Sequence, residues 1–193
     1  KREDLLDRPD FPTDHVDFGQ VIEWKQTLLA RAYARFKKSR SEKLKLAFAS
    51  FCEEEKHWLD DFALFMAIKE KLGGGAWGSW PKELRSRDPQ ALAQFRHENP
   101  TEIENHTFRQ FLFFEQWKKV HDYAHLKGVQ IIGDIPIFVA YDSSDAWSNP
   151  ELFFIDRKGQ PTVVAGVPPD YFSPTGQLWG NPLYDWEAHR REG

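Results

Sequence analysis

At 193 residues, 40% of them apolar, the chain is long enough for one large domain or two small ones with an ample core. A formal net charge of −4, from 30 acidic and 26 basic residues, leaves no basic face and so argues against nucleic-acid binding. The charged start KREDLLDR and the lack of a long apolar run argue against a signal peptide or membrane span, and a single cysteine, Cys52, excludes an internal disulfide and fits a reducing cytoplasm.

Residues 1–19, with Pro9, Pro12 and Gly19, read as an irregular lead-in. From Gln20 the positions Val21, Trp24 or Lys25, Leu28 or Leu29, Ala32 or Tyr33, and Phe36 recur at helical spacing and predict a first helix with one apolar face. A polar KKSRS linker separates it from a second, over 42–56, with Leu44, Phe48, Phe51 and an inert Cys52 on its inner side. A third runs from about Trp58 through Phe62, Phe65, Met66 and Lys69, with Gly73 as its stop. The stretch GGGAWGSWP at 73–81 must be a loop, and packing is the expected use of its Trp77 and Trp80. Asp88-Pro89 and Asn99-Pro100 each read as an N-cap followed by a proline at the first helical position. They open a short helix to about His97 and a long one to about Lys127, with Phe108, Phe111, Leu112, Glu115, Val120, Tyr123 and Leu126 on or near its buried face and Gly128 at its end.

VQIIGD then predicts a buried parallel strand at 129–133. Asp134 follows at its carboxyl edge, where open α/β sheets and barrels place ligand sites. The alternative for Asp134 is a turn cap or a structural ion pair. A helical turn is expected within 142–147, and Phe153–Ile155 with 162–165 suggest a hairpin around Asp-Arg-Lys-Gly-Gln. The segment 166–186, with four prolines, three glycines and five aromatic residues, reads as an ordered, exposed loop carrying function. His121 and His125 stand i, i+4 on a helix; without a third ligand they read as helix surface or core. The 8 Trp, 16 Phe and 5 Tyr suit both a core and flat platforms for the CH-rich faces of sugars.

GDIPIFVAYDSSDAWSNPELF followed by PTVVAGVPPDYFSPTGQLWGNPLYDW closely resembles the 4-α-glucanotransferases of glycoside hydrolase family 77, the amylomaltase or disproportionating enzymes. VDFGQVIEWKQTLLARAYARF, HWLDDFALFMAIKE, WGSWPKELRSRD and FRQFLFFEQWKKVHDYAHLKG resemble family segments in family order. The resemblance implies an α/β fold, a (β/α)₈ barrel with a largely helical inserted subdomain. A barrel needs about 250 residues, so an internal fragment is expected, mostly α with few strands. Its expected parts are the lead-in 1–19, a helical insertion at 20–106, and a partial barrel segment at 107–193 that holds the strand 129–133 and long aromatic loops.

The resemblance also implies transfer of α-1,4-glucan segments between maltodextrins by a retaining double displacement, in the cytoplasm and without a cofactor or metal. The family's catalytic carboxylates include an Asp in an Arg-x-Asp-His context. No such context occurs in this chain, so no catalytic residue is assigned here and the chain alone is expected to be inactive. By match to family positions, Asp134 is a sugar-hydroxyl contact, and Tyr171 and Phe172 form a lid over the acceptor side. Asp170, Gln177 and Trp179 line donor and acceptor subsites, while Asn181 and Pro182 hold the motif's shape. For Trp179 the alternative is a loop anchor, and at Pro174, where many relatives carry an acidic residue, this chain departs from the pattern. The partners implied are α-1,4-glucans, with self-association of the fragment through its unpaired strand. The rival readings are a non-catalytic α-glucan-binding module and a helical interaction fragment.

Overall fold

The computed structural model describes residues 2–192; Lys1 of the lead-in and the terminal Gly193 lie outside them. The architecture is mostly helical, with one two-stranded sheet. After a 3₁₀ turn at Arg2–Leu5, α1 spans Phe18–Lys37 and starts where Asp17 accepts a hydrogen bond from the amide of Gln20. Helix α2, Glu42–Glu54, is capped by Ser41 through the amide of Leu44, and α3 covers Lys56–Lys71. After α4, Lys82–Arg85, Asp88 accepts from the amides of Gln90 and Ala91 to open α5, Pro89–Glu98. Helix α6 runs from Pro100 to Leu126. Gly128 closes it at φ 73°, a value that L side chains resist, so that the amide of Val129 reaches back to the carbonyl of Ala124.

Asn99 occupies the expected N-cap position of α6, with Pro100 at the helix start, but its side chain makes no capping bond there. Its side-chain amide donates 3.0 Å to the carbonyl of Phe95, so it closes α5 instead. The contiguity of the two helices decides this: the buried Asn99 is also the C-cap of α5, and its backbone amide donates to the same Phe95 carbonyl.

Two apolar clusters hold the helices. Tyr33 and Phe36 of α1, Phe51 of α2, Leu59 of α3 and Phe108 and Phe111 of α6 form one, with Phe36 stacked on Phe108 at 4.7 Å. Leu64, Phe65 and Ile68 of α3 form the other with Trp77, Trp80, Leu92, Phe95 and Trp147. Each such side chain buried contributes about 1.5–3 kcal/mol. Trp77 and Trp80 are thus core, as their loop suggested, 1% and 3% exposed. The buried face of α3 differs from the expected one: Leu59, Ala63, Leu64, Ala67 and Ile68 join Phe65 inside, while Trp58, Phe62 and Met66 are half-buried. Being packed on both clusters, α3 buries a wider face than a single stripe predicts.

The C-terminal half of α6 also differs. Val120, Tyr123 and Leu126 are exposed instead of buried, together with Phe113 and Trp117. The side that buries Phe108 and Phe111 continues as Glu115, Lys118 and Asp122, whereas Phe113, Trp117, Val120 and Ala124 follow at i, i+4, i+7 and i+11 along the opposite side. The apolar stripe changes sides midway.

The expected strand at 129–133 does not form. The segment from Val129 to Ile137 has no regular secondary structure and is exposed, with Ile132 at 93% and Ile135 at 83%. No strand runs beside it among the described residues, and a strand requires a partner for its amides. From Tyr141 onward the chain is fixed to the helices. Trp77 Nε1 donates 2.6 Å to the carbonyl of Tyr141, Asp142 pairs with Lys69, and α7, Ser144–Ser148, plants Trp147 in the second cluster.

The hairpin expected between 153–155 and 162–165 is reduced to a bridge from Ile155 to Pro161, with the amide of Thr162 on the carbonyl of Phe154. Strand β1, Val164–Val167, pairs antiparallel with β2, Gln177–Pro182, and Gly166 faces Leu178. The expectation of loop throughout 166–186 is therefore corrected. Backbone pairing with β1 overrides the proline and glycine content, and Pro182 sits at the strand's end where no ladder bond is lost. A short helix α8, Trp186–Glu192, follows.

Candidate functional site

The hairpin β1–β2 carries most of the residues singled out in the sequence. Its connecting loop, 168–176, is organised by Asp170, whose Oδ1 accepts from the amides of Phe172 at 2.9 Å and Ser173 at 2.8 Å. The amide of Asp170 in turn donates to the carbonyl of Ser173, and Ser173 Oγ to that of Gly176. Gly176 is required: at φ 73°, an added Cβ would stand 2.5 Å from the carbonyl oxygen of Val167. This set of local bonds makes a closed loop whose aromatic residues have no inward position to take. Tyr171 and Phe172 consequently project at 94% and 85% exposure, edge to face with centroids 5.5 Å apart.

On β2, Gln177 and Trp179 lie two residues apart and so share a side of the strand. Trp179 Nε1 donates 3.1 Å to Gln177 Oε1, and the indole is half exposed. Its other neighbour is Phe138, edge to face at 6.1 Å. Asn181 Nδ2 donates 2.8 Å to the carbonyl of Val139, and Pro182 is fully buried, so these two do hold the shape of the motif. Phe138 and Val139 were not singled out by their sequence pattern; only the crossing of two segments distant in sequence reveals their place.

Asp134 is separate. It lies on the exposed segment, and its Oδ1 accepts 2.8 Å from the amide of the next residue, Ile135. It connects to the hairpin along the chain, through Phe138 against Trp179 and Val139 against Asn181. Asp170, Tyr171, Phe172, Gln177 and Trp179 are thus gathered on one hairpin, with Asp134 four residues before its nearest support. The rings of His121 and His125 lie in contact on α6, centroids 4.2 Å apart and planes inclined at 56°, and the described residues hold no group of three His, Cys, Asp or Glu able to bind a metal. Burial pushes the Cys52 thiol up, away from the reactive thiolate. Among the described residues no helix is long and apolar enough to cross a membrane.

Chemically, the hairpin offers two projecting rings, a half-open indole, an amide and a carboxylate. A broad apolar surface edged by fixed polar groups matches a ligand that alternates CH faces with hydroxyls. The class this architecture defines is a helical scaffold that presents an exposed aromatic hairpin.

Comparison with known proteins agrees. The family description 4-alpha-glucanotransferase matches residues 1–193. The 4-alpha-glucanotransferase of Thermus thermophilus is 50% identical over 188 residues, 97% of this chain and 38% of that protein. The chloroplastic/amyloplastic 4-alpha-glucanotransferase of Solanum tuberosum is 44% identical over 184 residues, 94% of this chain and 32% of its own length. Among solved structures, the amylomaltase from Streptococcus agalactiae in complex with acarbose superposes with a TM-score of 0.92 at 41% identity, over 100% of this chain and 39% of that one. The chain belongs to the 4-α-glucanotransferase family, glycoside hydrolase family 77. It spans less than two fifths of the length of these relatives.

Proposed function

We propose that a protein of the relatives' length carrying this chain is a 4-α-glucanotransferase, moving α-1,4-glucan segments between maltodextrins with retention. The observation that supports it most is the family match along the whole chain, with the exposed aromatic hairpin inside it. The match favours this reading over a stand-alone binding module or a helical interaction fragment. In a retaining mechanism one carboxylate attacks the anomeric carbon and another protonates the leaving oxygen, about 5–5.5 Å apart. Those carboxylates are assigned outside these residues. In this reading the chain supplies the sugar-facing surround. Tyr171 and Phe172 cover the acceptor side and keep water from the glycosyl-enzyme while a glucan hydroxyl enters. Trp179 stacks on a sugar face, Asp170 and Gln177 border the subsites, and Asp134 meets a sugar hydroxyl.

The finer fold belongs to the same reading. The segment 129–133 is a barrel strand in the longer protein, Asp134 then stands at its carboxyl edge, and α6 joins the helical insertion of 20–106 to the barrel part of 107–193. A cytoplasmic location is supported by the single, partly buried Cys52.

Incubation with maltotriose tests the proposal. The longer protein is expected to release glucose and build longer maltodextrins, and the 193-residue chain to yield neither. Disproportionation by this chain alone would place the catalytic carboxylates within it, with Asp134 and Asp170 to be reassigned. No product from the longer protein would overturn the activity.

A further inference from the structure

Trp179 stands on a strand whose outward residues are mostly exposed, yet its indole is not free to turn. Gln177 holds its Nε1, and one flank meets the edge of Phe138, with centroids at 6.1 Å and rings inclined at 70°. Phe138 is itself backed by Tyr184, nearly parallel at 13° with centroids 6.2 Å apart. Tyr184 is bridged to Phe153 through the backbone and packs on its ring at 5.3 Å. The chain bearing Phe138 is tied to β2 one residue further on, where Asn181 Nδ2 donates to the carbonyl of Val139. A column of rings thus runs from the buried Phe153 through Tyr184 and Phe138 to the half-exposed Trp179.

We propose that Phe138 is a positioning residue for glucan binding: its ring forms the wall that sets the Trp179 indole in the orientation that accepts a sugar face. The inference rests on the reading of Trp179 as a stacking platform. A half-exposed indole without that wall would occupy several rotamers and would have to be ordered on each binding event, which lowers affinity without touching the chemical step. A substitution at Phe138 should therefore raise KM and leave kcat near its original value, the signature of lost uniform binding.

The test uses the longer protein with maltotriose as substrate. Phe138→Leu and Trp179→Leu are compared singly and combined, beside Phe138→Tyr, which keeps the ring. Phe138→Leu is expected to raise KM about three- to tenfold, the range of an aromatic pair, and Phe138→Tyr to restore it. In the Trp179→Leu background Phe138→Leu should add nothing, because its effect passes through the indole. Additive effects, or an unchanged KM in Phe138→Leu while Trp179→Leu raises it, would overturn the proposal and leave the platform reading standing. An unchanged KM in Trp179→Leu would overturn both. If Phe138→Leu fails to melt cooperatively, Phe138→Met is read by the same criteria.

Discussion

Asp170 shows how one side chain carries two roles that a substitution can separate. Its Oδ1 holds the loop through the amides of Phe172 and Ser173. Asp170→Asn keeps that acceptor oxygen, whereas Asp170→Ala removes it and frees both amides. If the carboxylate acts mainly by shaping the lid, the alanine variant of the longer protein should raise KM for maltotriose about three- to tenfold, and the asparagine variant should stay near the original. Equal losses in both would instead point to the charge as the sugar contact. His106 makes a different residue-scale prediction. It is buried between α3 and α6, its Nε2 lies 2.8 Å from Glu70 Oε2, and neutral imidazole donates there. Burial, with Arg109 alongside, pushes its pKa below the usual 6.5, against the smaller opposing pull of Glu70. The unfolded chain therefore takes the proton first, and stability falls as pH drops below about 6.5. Melting temperatures between pH 7.5 and 5 should show this decline, and His106→Gln should flatten it; parallel curves would refute the assignment. Asp4 acts in a separate, lower window. Its hydrogen bonds from Arg35 hold its carboxyl well below the usual 3.8, so its contribution persists above that value and disappears only under strong acid.

At the scale of elements, α6 is two half-helices with opposite faces inside one continuous rod. Phe108 and Phe111 are committed to the first cluster, whereas Phe113, Trp117 and Val120 face outward and are exposed. Exposed apolar side chains along a helix face, with those of Val129, Ile132, Ile135 and Ile137 in the same chain, invite association. The isolated chain is expected to self-associate with rising concentration in sedimentation velocity, and the Trp117→Glu, Val120→Glu pair to shift it toward monomer. A wild-type chain that stays monomeric across the range would contradict the view that this face is built for burial. Asn99 belongs here too, since its amide ends α5 at the carbonyl of Phe95 while Pro100 begins α6. Asn99→Ala should cost about 1 kcal/mol in chemical unfolding, through α5 and not through the start of α6.

For the molecule as a whole, the hairpin is rigid only because its flanks are planted in the helical body. Trp147 is the deepest of these anchors: it is fully buried, its Nε1 donates 3.0 Å to the carbonyl of Leu84, and the Arg87 guanidinium lies 4.3 Å over its ring. Trp147→Ala should cost about 3–5 kcal/mol in urea unfolding. It should also weaken glucan binding by the longer protein, although Trp147 is fully buried in the helical body. A large loss of stability with unchanged KM would show that the hairpin keeps its form without that anchor.

The helices were legible because their signals are local. Capping by Asp17, Ser41 and Asp88, prolines at first positions and Gly128 at the end of α6 act within one turn of the chain. Composition likewise pointed to an exposed stretch, which 168–179 largely is while 180–185 is half-buried or buried, and Asp170, Tyr171, Phe172, Gln177 and Trp179 share that stretch, whose long motifs carried the family. What the sequence could not show depends on contacts between distant residues. Periodicity marks an apolar face without saying what meets it, which is why the second half of α6 looked buried and is open. The residues 129–133 have the composition of a strand, but a strand exists only against another, and among the described residues no strand pairs with them. Conversely, Gln177–Pro182 looks like loop by composition and is a strand because β1 lies alongside. The amino-acid order alone thus determined the helices, the exposed aromatic stretch and the family. Tertiary structure decided which apolar faces close, which extended segments pair, and that Phe138 and Asn181 brace the hairpin, because burial and backbone pairing are properties of neighbours brought together from far along the chain.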